Sequence, residues 1–327
     1  MLRLQRLRSL ATLVSILALT AGPAVANDGT AVIGIGGIQI VRDYDIRMAS
    51  EDLYVSPDKI SVDYVFVNES ENDAERLVAF PLPELSGEEF YDSGVALPST
   101  DMVNFVDFTV TIDGRPVAYE TEIRAFSPAG LDVTARLNAD GIPLNPIANA
   151  TFDALLALPP EKRSEYKTLG LAEWDEQYNF AHPFWRVRVV FYWRQMFPSK
   201  TPLSVSHTYR PIAGTGFFAL PEQTGATEDP YCMDSDFRAA ARRMMKKSGR
   251  DYLEERSVTY VLTTGSSWHG TIGSFRLTVA KPDPSWIVSL CASGIRKTGP
   301  TTFEWSTREY IPEKDLEVLF VRQMPNE

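Results

Sequence analysis

The stretch Ile60-Ser61-Val62-Asp63-Tyr64-Val65-Phe66 decides the fold class, because every even-numbered position in it is apolar while Ser61 and Asp63 are polar. The stretch Val106–Ile112 repeats this alternation with the same parity. Successive side chains of a strand point to opposite faces of a sheet, so both stretches are predicted to be half-buried strands.

Turn residues connect these strands to their neighbours. Asp113-Gly114 tolerates positive φ, and with Val117–Tyr119 behind it the sequence predicts a tight hairpin. Trp185–Trp193 and Leu203–Tyr209 also alternate, and Pro198–Lys200 between them predicts a second hairpin.

The rest of the chain predicts a mainly β protein. Five further strands are expected at residues 258–262, 275–279, 286–288, 303–305 and 316–320. Short strands separated by Gly, Pro and Asp clusters are typical of antiparallel β-sandwich domains, not of βαβ units.

Two helical regions interrupt this pattern. Residues 149–174, around Pro159-Pro160, predict a small helical insert. One amphipathic helix is predicted before the C-terminal strands, capped by Asp234 or Ser235 and ended by Gly249. Its apolar stripe consists of Phe237, Ala240, Ala241, Met244 and Met245.

The predicted domain boundary lies where the periodicity is lost. Residues 212–230 are rich in Gly, Pro, Thr and Glu without a clear period, as in a linker or a long surface connection. We therefore expect an N-terminal β-sandwich domain at 27–222, which carries the insert, and a C-terminal disulfide-tied β domain at 223–327.

The first 26 residues predict a signal peptide. Three arginines precede an apolar run from Leu10 to Ala21, and Ala24-Val25-Ala26 offers a cleavage site. The run is shorter than the ~20 residues of a membrane-spanning helix. The mature chain is expected to begin at Asn27, to be periplasmic or secreted, and to keep no transmembrane segment.

The charge balance narrows the range of partners. Residues 1–26 carry three arginines and no acid, so the mature chain has 29 basic and 43 acidic residues and a net charge of −14. Such a surface repels nucleic acid, and no nucleic-acid partner is expected.

Cys232 and Cys291 are the only cysteines, and an even number in an exported protein predicts a disulfide. A redox site is the alternative, although the sequence contains no C-x-x-C. His182, His207 and His269 show no metal-ligand spacing, so neither a metal nor another cofactor is expected. His207 shares its strand parity with Val205 and Tyr209, which is typical of a core histidine.

Trp268 and His269 are the candidate binding residues. They lie in the connection Gly265–Gly270, where an indole and an imidazole could both face a ligand. Alternatively, Trp268 covers one end of a sandwich. A second alternative is a calcium site formed by acids near Cys232, although their spacing matches no calcium loop and Asp234 already has a capping role. These acids are Glu228, Asp229, Asp234 and Asp236.

Several motifs across residues 27–322 together resemble one bacterial exported family, catalogued only as domain of unknown function 4424. These motifs are Ser50–Val55, Val78–Pro83, Tyr231–Asp234, Trp268–Leu277 and Pro312–Phe320. The resemblance implies a bacterial envelope protein in which Cys232 and Cys291 recur. The family has no assigned activity, so the resemblance implies no catalytic residue.

Together these patterns predict a non-catalytic binding or interaction module whose partner is an envelope protein or a glycan. The strands are well patterned, but the sequence shows no activated nucleophile, metal set or cofactor loop. The alternative is a carboxylate-dependent hydrolase acting on envelope glycans, with Asp43 and Asp45 as one possible pair. Two carboxyls ~5 to 10 Å apart beside Trp268 would favour the hydrolase.

Overall fold

The computed structural model describes residues 28–34, 37–88, 97–99, 101, 103–225 and 229–325. The predicted signal peptide therefore lies outside the described residues. Over the described ranges the strands are β1 (Gly29–Gly34), β2 (Gly37–Ile40), β3 (Ile46–Val55), β4 (Ile60–Asn68), β5 (Ala74–Pro81), β6 (Leu85–Ser86), β7 (Thr109–Ile112), β8 (Arg115–Pro116), β9 (Glu120–Phe126), β10 (Ala172–Asp175), β11 (Phe180–Pro183), β12 (Arg186–Phe197), β13 (Pro202–Tyr209), β14 (Gly214–Phe218), β15 (Leu253–Tyr260), β16 (Ile272–Ala280), β17 (Ile287–Leu290), β18 (Arg296–Lys297), β19 (Thr302–Tyr310) and β20 (Leu316–Arg322). The helices are α1 (Thr134–Ala139), α2 (Asn149–Leu156), α3 (Pro160–Thr168), α4 (Pro221–Thr224) and α5 (Ser235–Ser248), with a 3₁₀ turn at Thr263–Ser267.

The strands form three main sheets and one small ribbon. The eight-stranded sheet has the order β18-β19-β16-β3-β4-β13-β7-β8, and the four-stranded sheet has the order β14-β15-β20-β17. The six-stranded sheet has the order β2-β1-β5-β12-β6, with β9 also paired to β12, and β10 pairs with β11. Among the strand pairs of the described residues, β3 and β16 are parallel and the others antiparallel. The mainly β, antiparallel prediction is confirmed.

The core of the sandwich lies between the inner faces of the eight- and six-stranded sheets. Along β4 the even-numbered residues are buried, as the opening stretch of sequence predicts. Phe108 stacks on Phe80 and Phe191 of the opposite sheet, with ring centroids 4.6 and 4.8 Å apart. Burial of such aromatic rings contributes most of the apolar area that holds two sheets together.

The Asp113-Gly114 hairpin is confirmed, but the predicted hairpin of Trp185–Tyr209 is wrong. Asp113 and Gly114 have φ of 48° and 75°, which a primed turn between β7 and β8 requires. Strand β12 pairs with β5, β6 and β9, whereas β13 pairs with β4 and β7. Both strands are strongly apolar on one face, and they meet face to face across the core, where the rings of Trp193 and His207 are 5.6 Å apart.

The domain boundary predicted between residues 222 and 223 does not divide the sheets into two independent groups. Strand β16, from the second predicted segment, hydrogen-bonds to β3 within the eight-stranded sheet. The predicted linker at 212–230 is wrong in part, because it contains β14 and α4. Two segments that share a sheet depend on each other for backbone hydrogen bonds.

The helical insert forms a small core of its own. Helices α2 and α3 lie in the predicted insert, and α1 precedes them without having been predicted, since six residues are too few to show a helical period. Leu137, Leu155, Tyr166 and Trp185 are buried together where these helices pack on the six-stranded sheet. No helix in the described part of the chain is long and apolar enough to cross a membrane.

Helix α5 forms as its sequence predicts. Oδ1 of Asp234 accepts the N–H of Phe237 at 2.7 Å, and Gly249 ends the helix in the left-handed region at φ 69°. Phe237, Ala241 and Met245 face the four-stranded sheet.

The cap gives a first prediction. Asp234→Ala should lower the free energy of unfolding by about 1 kcal/mol, because one buried helix N–H loses its acceptor. Urea denaturation measures this change, with Asp234→Asn as the matched control, since asparagine caps equally well. An unchanged midpoint for the alanine variant would contradict the capping role.

Candidate functional site

A cluster of ionisable side chains lies inside the sandwich. Glu51 comes from β3, Tyr64 from β4, His207 from β13 and Tyr260 from β15, while Asp28 lies just before β1. Tyr64 Oη lies 3.0 Å from Tyr260 Oη, and the hydroxyl of Tyr260 also donates to Oε1 of Glu51 at 3.3 Å. Nε2 of His207 lies 3.3 Å from Oδ2 of Asp28. All five side chains are buried.

A bulge in β3 places the carboxylate of Glu51 in this cluster. The pairing of β3 with β4 shifts register between Met48 and Ser50. Before the bulge Ile46 and Met48 face the core, and after it Glu51 and Leu53 do. One extra residue in the strand exchanges the two faces of the sheet for all later residues of β3. The side chain of Glu51 therefore points into the core instead of toward solvent.

Burial keeps the acidic and basic members of this cluster uncharged. Burial raises the pKa of Asp28 well above its usual range, and the neighbouring Glu51 raises it further. Burial also raises the pKa of Glu51 to about 8, although the Tyr260 hydrogen bond opposes the shift. Burial lowers the pKa of His207 to about 3. Between these values a neutral acid faces a neutral imidazole, which avoids the large penalty of an isolated buried charge.

A cleft of about 200 Å³ has Tyr209 in its lining, and Tyr209 interacts electrostatically with Tyr64 and Tyr260 of this cluster. Ser257 and Thr259 of β15 and Gly214 of β14 line one part of the cleft. The remaining lining residues surround β6 and the end of β13: Pro83, Glu84, Leu85, Ser86, Val106, Ile147, Tyr209, Pro211 and Ile212. The lining is therefore mostly apolar with a few hydroxyls, as in small-molecule sites.

Tyr209 connects the cleft to the buried cluster. It is 3% exposed, and burial raises its pKa, so the phenol stays protonated. No described residue gives its Oη a hydrogen-bond partner. A buried hydroxyl without a partner is costly to the folded state.

Glu84 is the one carboxylate in this lining, as far as the described residues extend. Its Oε2 lies 3.3 Å from Nη1 of Arg186, so the charge is already paired. The cleft therefore presents hydroxyl groups and apolar surface, with little net charge.

The two predicted binding residues do not form a joint surface. Trp268 is 1% exposed, its indole N–H donates to the carbonyl of Asp28 at 3.0 Å, and its ring lies 4.6 Å from that of Phe66. This burial matches the alternative in which Trp268 covers the sandwich core. The side chain of His269 is 43% exposed, and its Nε2 lies 3.8 Å from Oε2 of Glu69. Ligand binding by His269 stays a prediction.

The metal alternatives lack a preformed site. Among the residues that the structure describes, no three His, Cys, Asp or Glu side chains meet as metal ligands. Near Cys232, Asp229 pairs with Arg238 at 2.9 Å, and Asp234 caps α5. Glu228 lies outside the described residues.

Asp43 and Asp45 are both bound to one arginine. The guanidinium of Arg76 reaches Asp43 at 2.7 Å and Asp45 at 2.8 Å. Although burial raises the pKa of Asp43, hydrogen bonds from the Asp45 N–H and from Arg76 bring it below its usual value. A carboxylate held in this way fixes the chain after β2 and is poorly suited to proton transfer.

The Cys232–Cys291 disulfide is confirmed. The Cα atoms of the two cysteines are 5.0 Å apart, within the usual range. The bond ties the segment before α5 to the end of β17, closing a loop of sequence separation 59.

Removing this bond gives a second prediction. The double variant Cys232→Ser/Cys291→Ser should lose about 2 to 4 kcal/mol of stability, because the unfolded chain gains freedom. Chemical denaturation measures the loss, and the native protein with its bond reduced and alkylated is the control that lacks the bond without the serine substitutions. Equal stability of the double variant and the native protein would contradict the expected role.

Fold and site together define a disulfide-tied β-sandwich protein with a small cleft beside a neutral buried cluster. The family model described as Domain of unknown function (DUF4424) matches residues 26–319, and the chain belongs to this family. A search of curated proteins found no match.

Solved structures resemble the chain only distantly. One is a candidate nutrient-binding protein of Legionella pneumophila, with a TM-score of 0.45 and 16% identity over 91% of this chain and 72% of that one. Another is an M1 zinc metallopeptidase of Deinococcus radiodurans, with a TM-score of 0.30 and 8% identity over 85% of this chain and 43% of that one. Similarity at this level carries no functional argument.

Asp28, Glu51 and Tyr209 are not among the site residues predicted from the sequence. The sequence does contain a signal for Glu51. The apolar residues before it, Ile46 and Met48, have even numbers, whereas the apolar residues after it, Leu53 and Val55, have odd numbers. That change of parity indicates a bulge with an acid beside it. No signal in the sequence marks the cleft, since its lining comes from distant segments.

Proposed function

We propose that the protein is an exported binding module that holds a small ligand in the cleft beside Tyr209. The observation that carries this proposal is the buried phenol of Tyr209, which lines the cleft and has no hydrogen-bond partner among the described residues. A hydroxyl of a bound ligand would supply that partner and recover the free energy of a buried hydrogen bond.

The size and lining of the cleft favour a small, neutral, hydroxylated ligand. At about 30 Å³ for each water-sized group, the volume of about 200 Å³ accommodates on the order of six or seven non-hydrogen atoms. Ser86, Ser257 and Thr259 offer hydroxyls, while the apolar residues can cover carbon atoms. The pairing of Glu84 with Arg186 leaves little attraction for an ion of either sign.

The alternative, a carboxylate-dependent glycan hydrolase, has less support from this geometry. Such enzymes place two carboxyls ~5 to 10 Å apart across the scissile bond. Within the described residues, the cleft lining contributes Glu84 alone, and Asp43 and Asp45 are bound to Arg76. Trp268 lies in the core, so its ring has no exposed face for a sugar.

Export belongs to the same proposal. The predicted signal peptide, the acidic mature chain and a disulfide together support a periplasmic or secreted location, where an envelope protein or a glycan could be a further partner. N-terminal sequencing of the exported protein should give a first residue of Asn27. An N-terminus that retains the apolar run would contradict cleavage after Ala26.

Ligand-observed NMR tests the binding proposal with three probes of similar size: glycerol as a neutral polyol, choline as a cation and pivalate as an anion. We expect binding of the polyol and little binding of either ion. Thr259→Trp, at an exposed strand position that lines the cleft, should abolish the signal by filling the space. Thr109→Trp, on an exposed strand position outside the cleft, is the matched control.

Tyr209→Phe then tests the phenol itself. It removes one oxygen and preserves the ring, so we expect roughly tenfold weaker binding with unchanged folding. Binding that survives both Thr259→Trp and Tyr209→Phe would place the ligand elsewhere and contradict the proposal.

A further inference from the structure

The Cys232–Cys291 disulfide lies on the surface. Both cysteine residues are exposed, unlike the core clusters that hold the sheets together. An exposed disulfide is open to attack by an external thiolate, and exposure is characteristic of the reducible class.

The backbone at Cys232 is strained. Its φ is 50°, in the left-handed region that a residue with a side chain rarely adopts. The segment before α5 holds this conformation while its cysteine is bonded to the end of β17.

We propose that Cys232–Cys291 is a reversible redox site of the folded protein, and that its partner is the C-x-x-C dithiol of an exported thiol–disulfide oxidoreductase. A groove of about 550 Å³ runs along the bond. Its lining includes the apolar Phe237, Val288, Leu290, Ile295 and Phe303 and the polar Asp234, Ser289, Ser293 and Lys297. The bond itself is part of the lining, so a loop that carries the attacking cysteine meets the sulfur atoms when it occupies this groove.

The surroundings of Cys232 set the direction of the exchange. Cys232 lies two residues before the N-cap of α5, and Arg238 of the first turns donates from Nε to the carbonyl of Met233 at 3.0 Å. The positive end of a helix stabilises a thiolate, whereas the charge of Arg238 is already shared with Asp229 and Glu222. Cys232 is therefore the better leaving group, and Sγ of Cys291 is the atom attacked.

The exchange proceeds in two steps. The partner's first thiolate bonds to Sγ of Cys291, the bond between the two Sγ atoms breaks, and its electron pair leaves on Cys232. The partner's second thiolate then attacks the partner's own sulfur in the mixed disulfide and releases Cys291 as a thiolate. The partner dithiol is oxidised to a disulfide, and Cys232 and Cys291, reduced by two electrons, take up protons from water.

The fold around the bond has other supports. Strand β17 stays paired with β20, and the hydroxyl of Ser289 donates to the carbonyl of Tyr231 at 2.9 Å. Helix α5 keeps Phe237, Ala241 and Met245 in the core that it shares with the four-stranded sheet. Reduction therefore releases the segment before α5 and leaves the sheets in place.

Timed thiol alkylation tests this inference on the mature protein. Dithiothreitol is added without denaturant, samples are alkylated at intervals, and the mass gain is followed beside far-UV circular dichroism. We expect reduction within about tenfold of the rate in denaturant, with the spectrum unchanged, because no global opening is needed. The proposal would be overturned if the rate of reduction equals the rate of global unfolding and falls when the fold is stabilised.

A trapping experiment tests the partner and the direction. A C-x-x-C oxidoreductase whose second cysteine is replaced by serine cannot complete the exchange, so it should remain bonded to Cys291, as peptide mass spectrometry can show. The Cys232→Ala/Cys291→Ala variant is the control for nonspecific adducts. An adduct on Cys232 would overturn the assigned direction of attack. If dithiothreitol reduces the bond but the oxidoreductase forms no adduct, the assigned partner is wrong.

Discussion

Glu51→Gln is expected to remove a large part of the loss of stability that the native protein shows between about pH 4.5 and pH 8, with Asp28 accounting for the remainder. The Glu51 carboxyl is buried, and its pKa in the folded chain is about 8 instead of 4.5. A raised pKa means that the folded state holds a proton that the unfolded state releases. The stabilising contribution is complete below about pH 4.5 and is lost as the pH rises through 8.

The size of this effect follows from the shift. Each pH unit in the middle of the interval changes the free energy of unfolding by about 1.4 kcal/mol, and the change is smaller near the two pKa values, so Glu51 alone accounts for about 4 kcal/mol. Burial also raises the pKa of Asp28, which adds to the loss of stability with rising pH. Burial lowers the pKa of His207, so this residue has the opposite effect and increases stability as the pH rises to about 6.5. The native protein should therefore be more stable at pH 5 than at pH 8.

Urea denaturation at a series of pH values measures this difference. The stability of Glu51→Gln relative to the native protein should rise by about 4 kcal/mol from pH 4.5 to pH 8. The amide can still accept the hydrogen bond from Tyr260, although its own N–H groups need partners. Glu71→Gln, at a side chain that is 86% exposed, is the matched control. Parallel stability curves for Glu51→Gln and the native protein would contradict a protonated buried Glu51.

Trp268→Ala is expected to lower the free energy of unfolding by about 3 to 5 kcal/mol, the usual loss for a large aromatic side chain removed from a core. The indole lies against the rings of Phe66 and Phe197, and its N–H holds the carbonyl of Asp28. Its removal leaves a cavity between the sheets and frees the chain before β1.

Two further variants separate packing from hydrogen bonding. Trp268→Phe keeps an aromatic ring and should recover most of the stability, with about 1 to 3 kcal/mol lost through the unpaired carbonyl and the smaller ring. His269→Ala, one residue further and exposed, should change stability by less than about 0.5 kcal/mol. If Trp268→Ala were as stable as the native protein, Trp268 would not be a core residue.

Strands and helices with a strong local period could be predicted from the sequence. The alternation of Ile60–Phe66, the Asp113-Gly114 turn and the capped helix after Asp234 are all decided by neighbouring residues, and the structure has each of them. The disulfide could be predicted from the even number of cysteines and from the expected compartment, and the structure contains it.

Pairing between distant strands could not be predicted in the same way. The apolar faces of β12 and β13 are compatible both with a hairpin and with strands in opposite sheets. In the structure β12 hydrogen-bonds to β5 and β9 on its two edges, and β13 hydrogen-bonds to β4 and β7, so the two strands cannot pair with each other. The parallel contact of β16 with β3 joins residues more than two hundred positions apart, which no local pattern indicates. The buried cluster depends on a bulge, and the cleft depends on how the four-stranded sheet lies beside β13.

Native mass spectrometry of the protein, purified under mild conditions from cells that produce it, tests the binding proposal most directly. We predict that a fraction of the native chain carries one small neutral molecule, that Thr259→Trp carries none, and that Thr109→Trp carries as much as the native protein. Equal occupancy in Thr259→Trp and the native chain would contradict a ligand in the cleft beside Tyr209.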